Sequence, residues 1–187
     1  MEIYLIRHTP TATSKGLCYG QTDVALAESY AEDMEKLCQK LPERQPDALI
    51  FSSPLSRCMQ LAKCLSSEVI LDPRLVEINF GDWENQPFDA LDSEFFRHWT
   101  EHFVTVPPPN GESFTDLCDR AENFWQHLIN IDTSQVFIIT HAGVIRALLA
   151  RLLQLPPANA FQFRVDYGSV HKLQRVADYT HIHYLNL

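Results

Sequence analysis

Five residues of the chain carry the functional groups that phosphoryl transfer needs: Arg7, His8, Arg57, Glu77 and His141. A neutral imidazole nitrogen is a nucleophile near neutral pH without help from a metal. Guanidinium forks grip non-bridging phosphate oxygens in pairs and stabilise them as charge redistributes. A carboxyl group can protonate a departing alkoxide and then activate water. Burial and the adjacent phosphate charge are expected to keep the Glu77 proton in place until it is used. One guanidinium–oxyanion contact at about 4 Å is worth roughly 4 kcal/mol at an effective dielectric of about 20, before desolvation. Taken singly, each residue has an ordinary structural reading: Arg7-His8 a salt-bridge pair, Arg57 a solvated helix residue, His141 a helix cap. What makes them a set is where the surrounding elements put them.

Four short apolar runs, Ile3–Ile6, Ala48–Phe51, Val69–Leu71 and Val136–Ile139, read as buried strands. Between them lie segments with helical spacing. Tyr30–Lys40 aligns Met34, Leu37, Cys38 and Leu41. Leu55–Leu65 follows Ser53 as a candidate N-cap and Pro54 as the first helical residue. Phe114–Ile131 follows Ser113, with Asp116 three residues on, a capping-box pattern. Gly143–Leu155 is apolar almost all round and is stopped by Pro156-Pro157. Ser169–Val176 and Thr180–Leu185 form a hairpin pattern around Ala177-Asp178. This alternation predicts an α/β fold of three layers, α/β/α, with a mostly parallel central sheet and one antiparallel strand.

In such a sheet ligands bind beyond the carboxyl ends of the strands. Arg7-His8 follows the first strand, Ser52-Ser53 the second, Glu77 comes shortly after the third, and Thr140-His141-Ala142-Gly143 follows the fourth. The last group opens a helix, whose N-terminal N–H donors favour an anion. From about 85 to 110 the strand rhythm is lost in favour of Phe88, Phe95, Phe96, Trp99, Phe103 and Pro107-Pro108-Pro109. Candidate residues fall on both sides of that stretch, so it reads as a helical insertion in one domain spanning 1–187.

Composition bounds the partners. With 15 basic against 24 acidic side chains, a net charge of −9 and a pI near 5.3, the chain lacks the basic stripe of a nucleic-acid reader. No run approaches the roughly 20 apolar residues of a membrane helix, and the apolar start ends at Arg7, too early for a signal-peptide core. The five cysteines are scattered and never spaced C-x-x-C, so reduced thiols and a cytoplasmic location are expected, with no disulfide scaffold or zinc site. His98 and His102 stand one helical turn apart without a third ligand, and His181 and His183 share one strand face. Neither pair is taken as a metal site, and no cofactor is expected.

The stretches LIRHTPT (from Leu5), SSPLSRC (from Ser52), LVEINFGDWE (from Leu75) and IITHAGVIRALLA (from Ile138) occur in this order along almost the whole chain. They resemble the successive signatures of the histidine phosphatase superfamily, which has the phosphoglycerate-mutase-like fold. The resemblance implies that His8 is the phosphorylated nucleophile and Glu77 the proton donor. It further implies that Arg7, Arg57 and His141 form the phosphate pocket, with Ala142 contributing a backbone N–H. GLCYGQTDVAL (16–26), PNGESFTDLCDRAENF (109–124) and FQFRVDYGSV (161–170) are similar to the α-ribazole-5′-phosphate phosphatases within that superfamily. This implies a small phosphomonoester, α-ribazole 5′-phosphate, as substrate, and Tyr19, Gly20 and Gln21 as a substrate loop in which glycine permits close backbone approach.

Two features depart from the family pattern. Thr9 stands where glycine usually follows the Arg-His pair, and a common asparagine is replaced by the hydroxyls of Thr11, Thr13 and Ser14. Thr9 and these hydroxyls are candidate phosphate donors in its place. Other readings are a sugar-phosphate phosphatase, a phosphoglycerate mutase, or a phospho-ligand binding module without turnover. A mutase needs further cations for a second anionic group, and Arg97 is the sole cationic residue between Asp82 and Asn110.

Overall fold

The computed structural model describes the backbone of residues 1–187 and every side chain except that of Ser93. Six strands form one sheet: β1 (Glu2–Arg7), β2 (Leu49–Ser52), β3 (Ile70–Leu71), β4 (Gln135–Thr140), β5 (Val170–Val176) and β6 (Tyr179–Tyr184). Their order across the sheet is β3-β2-β4-β1-β5-β6. β1 to β4 pair in parallel, β5 opposes β1, and β6 opposes β5, so β5 alone runs against the others. Alternation along the central strands feeds two cores. Ile3, Leu5, Val136 and Ile138 face α4 (Phe114–Leu128) and α5 (Ala142–Leu152), burying Phe124, Leu128, Ile145 and Leu148 among others. Tyr4, Ile6, Phe137 and Ile139 face α1 (Tyr30–Cys38) and α2 (Ser56–Leu65), meeting Leu37, Leu61 and Ala62. These are the three layers expected, with the one antiparallel strand also in place.

Two elements differ from the sequence expectation. β3 is not buried: it is a two-residue strand whose Ile70 and Leu71 side chains are exposed, because it lies at the sheet edge with β2 as its sole neighbour. α2 is not capped by Ser53 with Pro54 at its first position. It begins at Ser56 after an extended Leu55, without a side-chain cap, because the Ser53 hydroxyl is turned into the interior toward His141. α4 carries the expected capping box, with Ser113 Oγ accepting from Asp116 N and the Asp116 carboxylate accepting from Ser113 N.

The stretch after β3 builds a third, smaller aromatic core. Trp83 lies edge-on to Phe95, Phe96 and Trp99, the last three carried by α3 (Ser93–His102), and Cys18 and Leu91 close the cluster. Asp92 caps α3 by accepting from Glu94 N and Phe95 N. The proline turn that follows is tied back, Pro109 O accepting from Asp82 N (2.9 Å) and Glu112 N donating to Asn79 O (2.8 Å). Gly81 permits this crossing, since it has φ +55° and a Cβ there would collide with Pro109 O. No helix among the described residues is long and apolar enough to cross a membrane.

Candidate active site

Because β1, β4 and β2 are neighbours, their carboxyl ends bring Arg7-His8, Thr140-His141 and Ser52-Ser53 together. His8 N donates to Thr140 O (3.1 Å) and Ser53 N to Ile139 O (2.9 Å), so all three exits leave the sheet in one registered layer. Arg7, His8, Tyr19, Arg57 and Glu77 line a cup of about 430 Å³ at this edge.

His8 is buried, and its Nδ1 lies 2.7 Å from Thr9 O. A carbonyl only accepts, so Nδ1 carries the proton and Nε2 keeps its lone pair. Burial, followed by the charges of Arg57 and Arg7, lowers the His8 pKa to about 3, against which the Thr9 carbonyl works. The ring is therefore neutral at neutral pH, with an unprotonated Nε2.

Arg57 is not a solvated helix residue; its relative exposure is 0%. Nη1 donates to Thr22 O (2.9 Å) and Nη2 to Gly20 O (2.5 Å), which folds the 19–22 loop over the guanidinium. Nε donates to His141 Nδ1 (3.3 Å), so that nitrogen holds a lone pair and the His141 proton resides on Nε2, directed at Ser53 Oγ (2.8 Å). Burial, with the charges of His8, Arg57 and Arg7 added, holds the His141 pKa well below the ordinary range. His141 thus brings no positive charge. It is fully buried behind the cup, edge-on to the His8 ring at 5.1 Å, and positions Arg57. Arg7 is fixed by Nη1 donating to Val165 O (2.7 Å) and by Tyr167, whose ring centre lies 3.6 Å from its Cζ.

Glu77 lines the cup beside the N-terminus of α5. Its Oε1 accepts from Ile78 N (3.0 Å) and its Oε2 from Gly143 N (3.1 Å). A Cβ on Gly143 would collide with Glu77 Oε1. The Glu77 side chain is half-buried, and both carboxyl oxygens meet backbone donors. Its main chain is clamped by Arg120 Nη2 (3.1 Å) and Gln21 Nε2 (3.2 Å), both donating to Glu77 O. Thr140 Oγ1 donates to Leu75 O (2.7 Å), tying the same segment to β4.

Other candidates fall outside the cup wall. Gly20 supplies its carbonyl to Arg57 and packs on Ile78 O so closely that a Cβ would collide. Ala142 is the first residue of α5. Thr9 contributes its carbonyl to His8, while its hydroxyl is fully buried without a hydrogen-bond partner. Thr11 and Thr13 bond each other (2.8 Å), and Thr11 bonds the Tyr19 hydroxyl (2.9 Å), which meets that of Tyr167 (2.9 Å). These hydroxyls form a chain at the mouth of the cup.

Two organisers escaped the sequence reading. Glu84 accepts from the backbone N–H groups of Gly20, Gln21, Thr22 and Phe80 and from Thr22 Oγ1 (2.6 Å). Burial works to raise its pKa, and these bonds more than offset that, leaving it lowered. Arg120 joins Glu112 (2.6 Å) and donates to the carbonyls of Arg74 and Val76 as well as Glu77. The signals that could have found them are a Glu closing GDWE, and an Arg beside the apolar stripe Leu117-Ala121-Phe124.

A second cavity, of about 510 Å³, adjoins the cup. Tyr19, Glu77, Phe80 and Arg146 line both. Its remaining walls are chiefly aromatic, from Trp99, Phe103, Phe114 and Phe161. No group of three His, Cys, Asp or Glu side chains among the described residues is placed to hold a metal ion.

The family model of the histidine phosphatase superfamily (branch 1) matches residues 3–187. The adenosylcobalamin/alpha-ribazole phosphatase of Escherichia coli (strain K12) is 32% identical over 177 residues, covering 90% of this chain and 87% of that one. The crystal structure of the alpha-ribazole phosphatase from Shigella flexneri superposes with a TM-score of 0.92 at 30% identity, over 100% of this chain and 96% of that one. A mycobacterial glucosyl-3-phosphoglycerate phosphatase in complex with inorganic phosphate gives a TM-score of 0.84 at 27% identity, over 100% and 97% of the two chains.

Proposed function

Because the chain belongs to the histidine phosphatase superfamily, branch 1, we propose that it hydrolyses α-ribazole 5′-phosphate to α-ribazole and inorganic phosphate in cobalamin synthesis, through a phosphohistidine at His8. The chain is a phosphoric monoester hydrolase acting on small-molecule phosphates. The observation that carries the phosphohistidine reading is the His8 tautomer, and the likeness to the alpha-ribazole phosphatases supports the substrate. The Nδ1–H bond to Thr9 O leaves Nε2 with its lone pair on a ring that lines the cup together with the guanidinium groups of Arg7, Arg57 and Arg146 and the carboxyl group of Glu77.

In the first step His8 Nε2 forms a bond to phosphorus, the phosphorus–ester oxygen bond breaks, and the Glu77 proton passes to the leaving alkoxide. In the second, the Glu77 carboxylate takes a proton from water as the water oxygen attacks phosphorus. The phosphorus–nitrogen bond then breaks and its electron pair returns to Nε2. Arg7 and Arg57 grip the phosphoryl oxygens throughout, the α5 N-terminus at Ala142 adds backbone donation, and His141 holds Arg57 in place. Tyr19 closes the mouth; Gly20 and Gln21 act through Arg57 and Glu77. The reading extends to 1–187 as one catalytic domain with an insertion at about 85–110. It also extends to the cytoplasm as location, which five free cysteines support.

The test is a side-by-side measurement of kcat/KM for α-ribazole 5′-phosphate, 3-phosphoglycerate and sugar phosphates. α-Ribazole 5′-phosphate should lead by tenfold or more, with turnover of every ester lost in His8→Ala. A lead by 3-phosphoglycerate or a sugar phosphate would overturn the substrate. Phosphate binding with no turnover of any ester would favour a binding module.

A further inference from the structure

Arg146 stands at the seam between the phosphate cup and the aromatic cavity and lines both. It lies three residues after Gly143, on the face of α5 that meets Glu77. Its Nε donates to Phe163 O (3.1 Å) and its Cζ sits 5.2 Å from the Phe161 ring centre, which fixes the plane of the fork. Among the described residues the guanidinium makes no ion pair, and neither Nη1 nor Nη2 has a protein acceptor. Burial lowers its pKa, the nearby Arg7 charge adds to this, and Glu77 opposes it. A half-buried cation facing another cation, with two nitrogens uncommitted, is a donor set that awaits a ligand.

The ligand's chemistry follows from what lies on either side. Arg7 and Arg57 already serve the phosphoryl group, so what reaches the seam is the part of the leaving group a few bonds beyond the ester oxygen. A second carboxylate or phosphate there would face Glu77, and a small dianion would leave the aromatic walls of a 510 Å³ cavity uncovered. Neutral oxygen acceptors meet neither objection, and a flat apolar ring beyond them would cover Phe103, Phe161 and Trp99.

We propose that Arg146 is a specificity-determining residue that donates from Nη1 and Nη2 to hydroxyl oxygens of the leaving group. The chain thereby selects phosphate esters in which a hydroxylated linker joins the phosphate to an aromatic ring system. This rests on the phosphatase reading above, whose substrate α-ribazole 5′-phosphate belongs to that class, and adds the residue that reads its leaving group.

The experiment compares wild type, Arg146→Met and Arg146→Lys on α-ribazole 5′-phosphate, phenyl phosphate and 3-phosphoglycerate. Loss of charge-assisted hydrogen bonds predicts a fall of about ten- to a hundredfold in kcat/KM for α-ribazole 5′-phosphate in Arg146→Met, partly restored in Arg146→Lys. Phenyl phosphate, which has no hydroxyl, should fall far less than α-ribazole 5′-phosphate, and a melting temperature equal to wild type reports that the variant is folded. An equal fall on both esters would place Arg146 on the phosphoryl group and overturn the proposal. So would a fall confined to 3-phosphoglycerate, or no change on any ester. Calorimetric binding of α-ribazole 5′-phosphate to His8→Ala and to His8→Ala/Arg146→Met separates the two readings. Weaker binding in the double variant supports the role of Arg146 even if turnover were absent, and equal binding contradicts it.

Discussion

The His8 ring is set by one short bond. With Thr9 O accepting from Nδ1 at 2.7 Å, the ring nitrogen left with a free lone pair is chosen by the residue next in sequence, and no carboxylate partner is involved. His141 is set the other way, its Nδ1 accepting from Arg57 and its Nε2 directed at Ser53. Burial keeps both neutral, with His8 lowered to about 3. Histidine ring nitrogen NMR should therefore find His8 as the Nδ1–H tautomer and His141 as the Nε2–H tautomer, both unchanged between pH 8 and about pH 5. A His8 titration with its midpoint near 6.5 would contradict this environment. At this scale the sequence supplied residue types but not states. Arg57 and His141 each had an ordinary surface or capping interpretation, and their full burial depends on chain segments far away in sequence. Thr9 shows the opposite limit, since residue type draws attention to its side-chain hydroxyl while its backbone carbonyl sets the His8 ring, a contact that any residue type could make.

Among the elements, α5 does the most to define the site. Its second residue donates its N–H to Glu77, and its first turn has no side-chain cap because the carboxylate occupies that place. Gly143 is required by that approach rather than by helix formation. In Gly143→Ala, intrinsic propensity favours the helix by up to about 1 kcal/mol, whereas the new Cβ would collide with Glu77 Oε1. The expected outcome is a melting temperature equal to or above wild type, with kcat reduced tenfold or more. Unchanged kcat would mean that this Glu77 position is not needed. Uninterrupted apolar runs made β1, β2, β4 and α5 readable, and the serine–aspartate spacing made the α4 cap readable. β3 was misread because an apolar tripeptide looks the same at an exposed edge as in a buried centre. Ser53 was misread because a hydroxyl before a helix can serve a cap or a neighbouring imidazole, and local sequence does not choose between them.

Over the whole molecule, a net charge of −9 coexists with Arg7, Arg57 and Arg146 at one sheet edge. Field at that edge is governed by groups within a few ångström, and the distant surface carboxylates are screened. The ordering of motifs was legible because each follows a strand, and a parallel sheet delivers all such exits to one side. The supports were not: Glu84 holds Gly20 from 64 positions away, and Arg120 holds the Glu77 carbonyl from 43 away. Such pairings become visible when the sheet, the insertion and α4 are packed together. What these parts jointly predict is a covalent phosphoenzyme. Rapid mixing with radiolabelled substrate, quenching in alkali and mapping the labelled peptide should place phosphate on His8, stable to base and lost in acid. A label on another residue, or turnover at the wild-type rate with no label retained and His8→Ala fully active, would contradict the account.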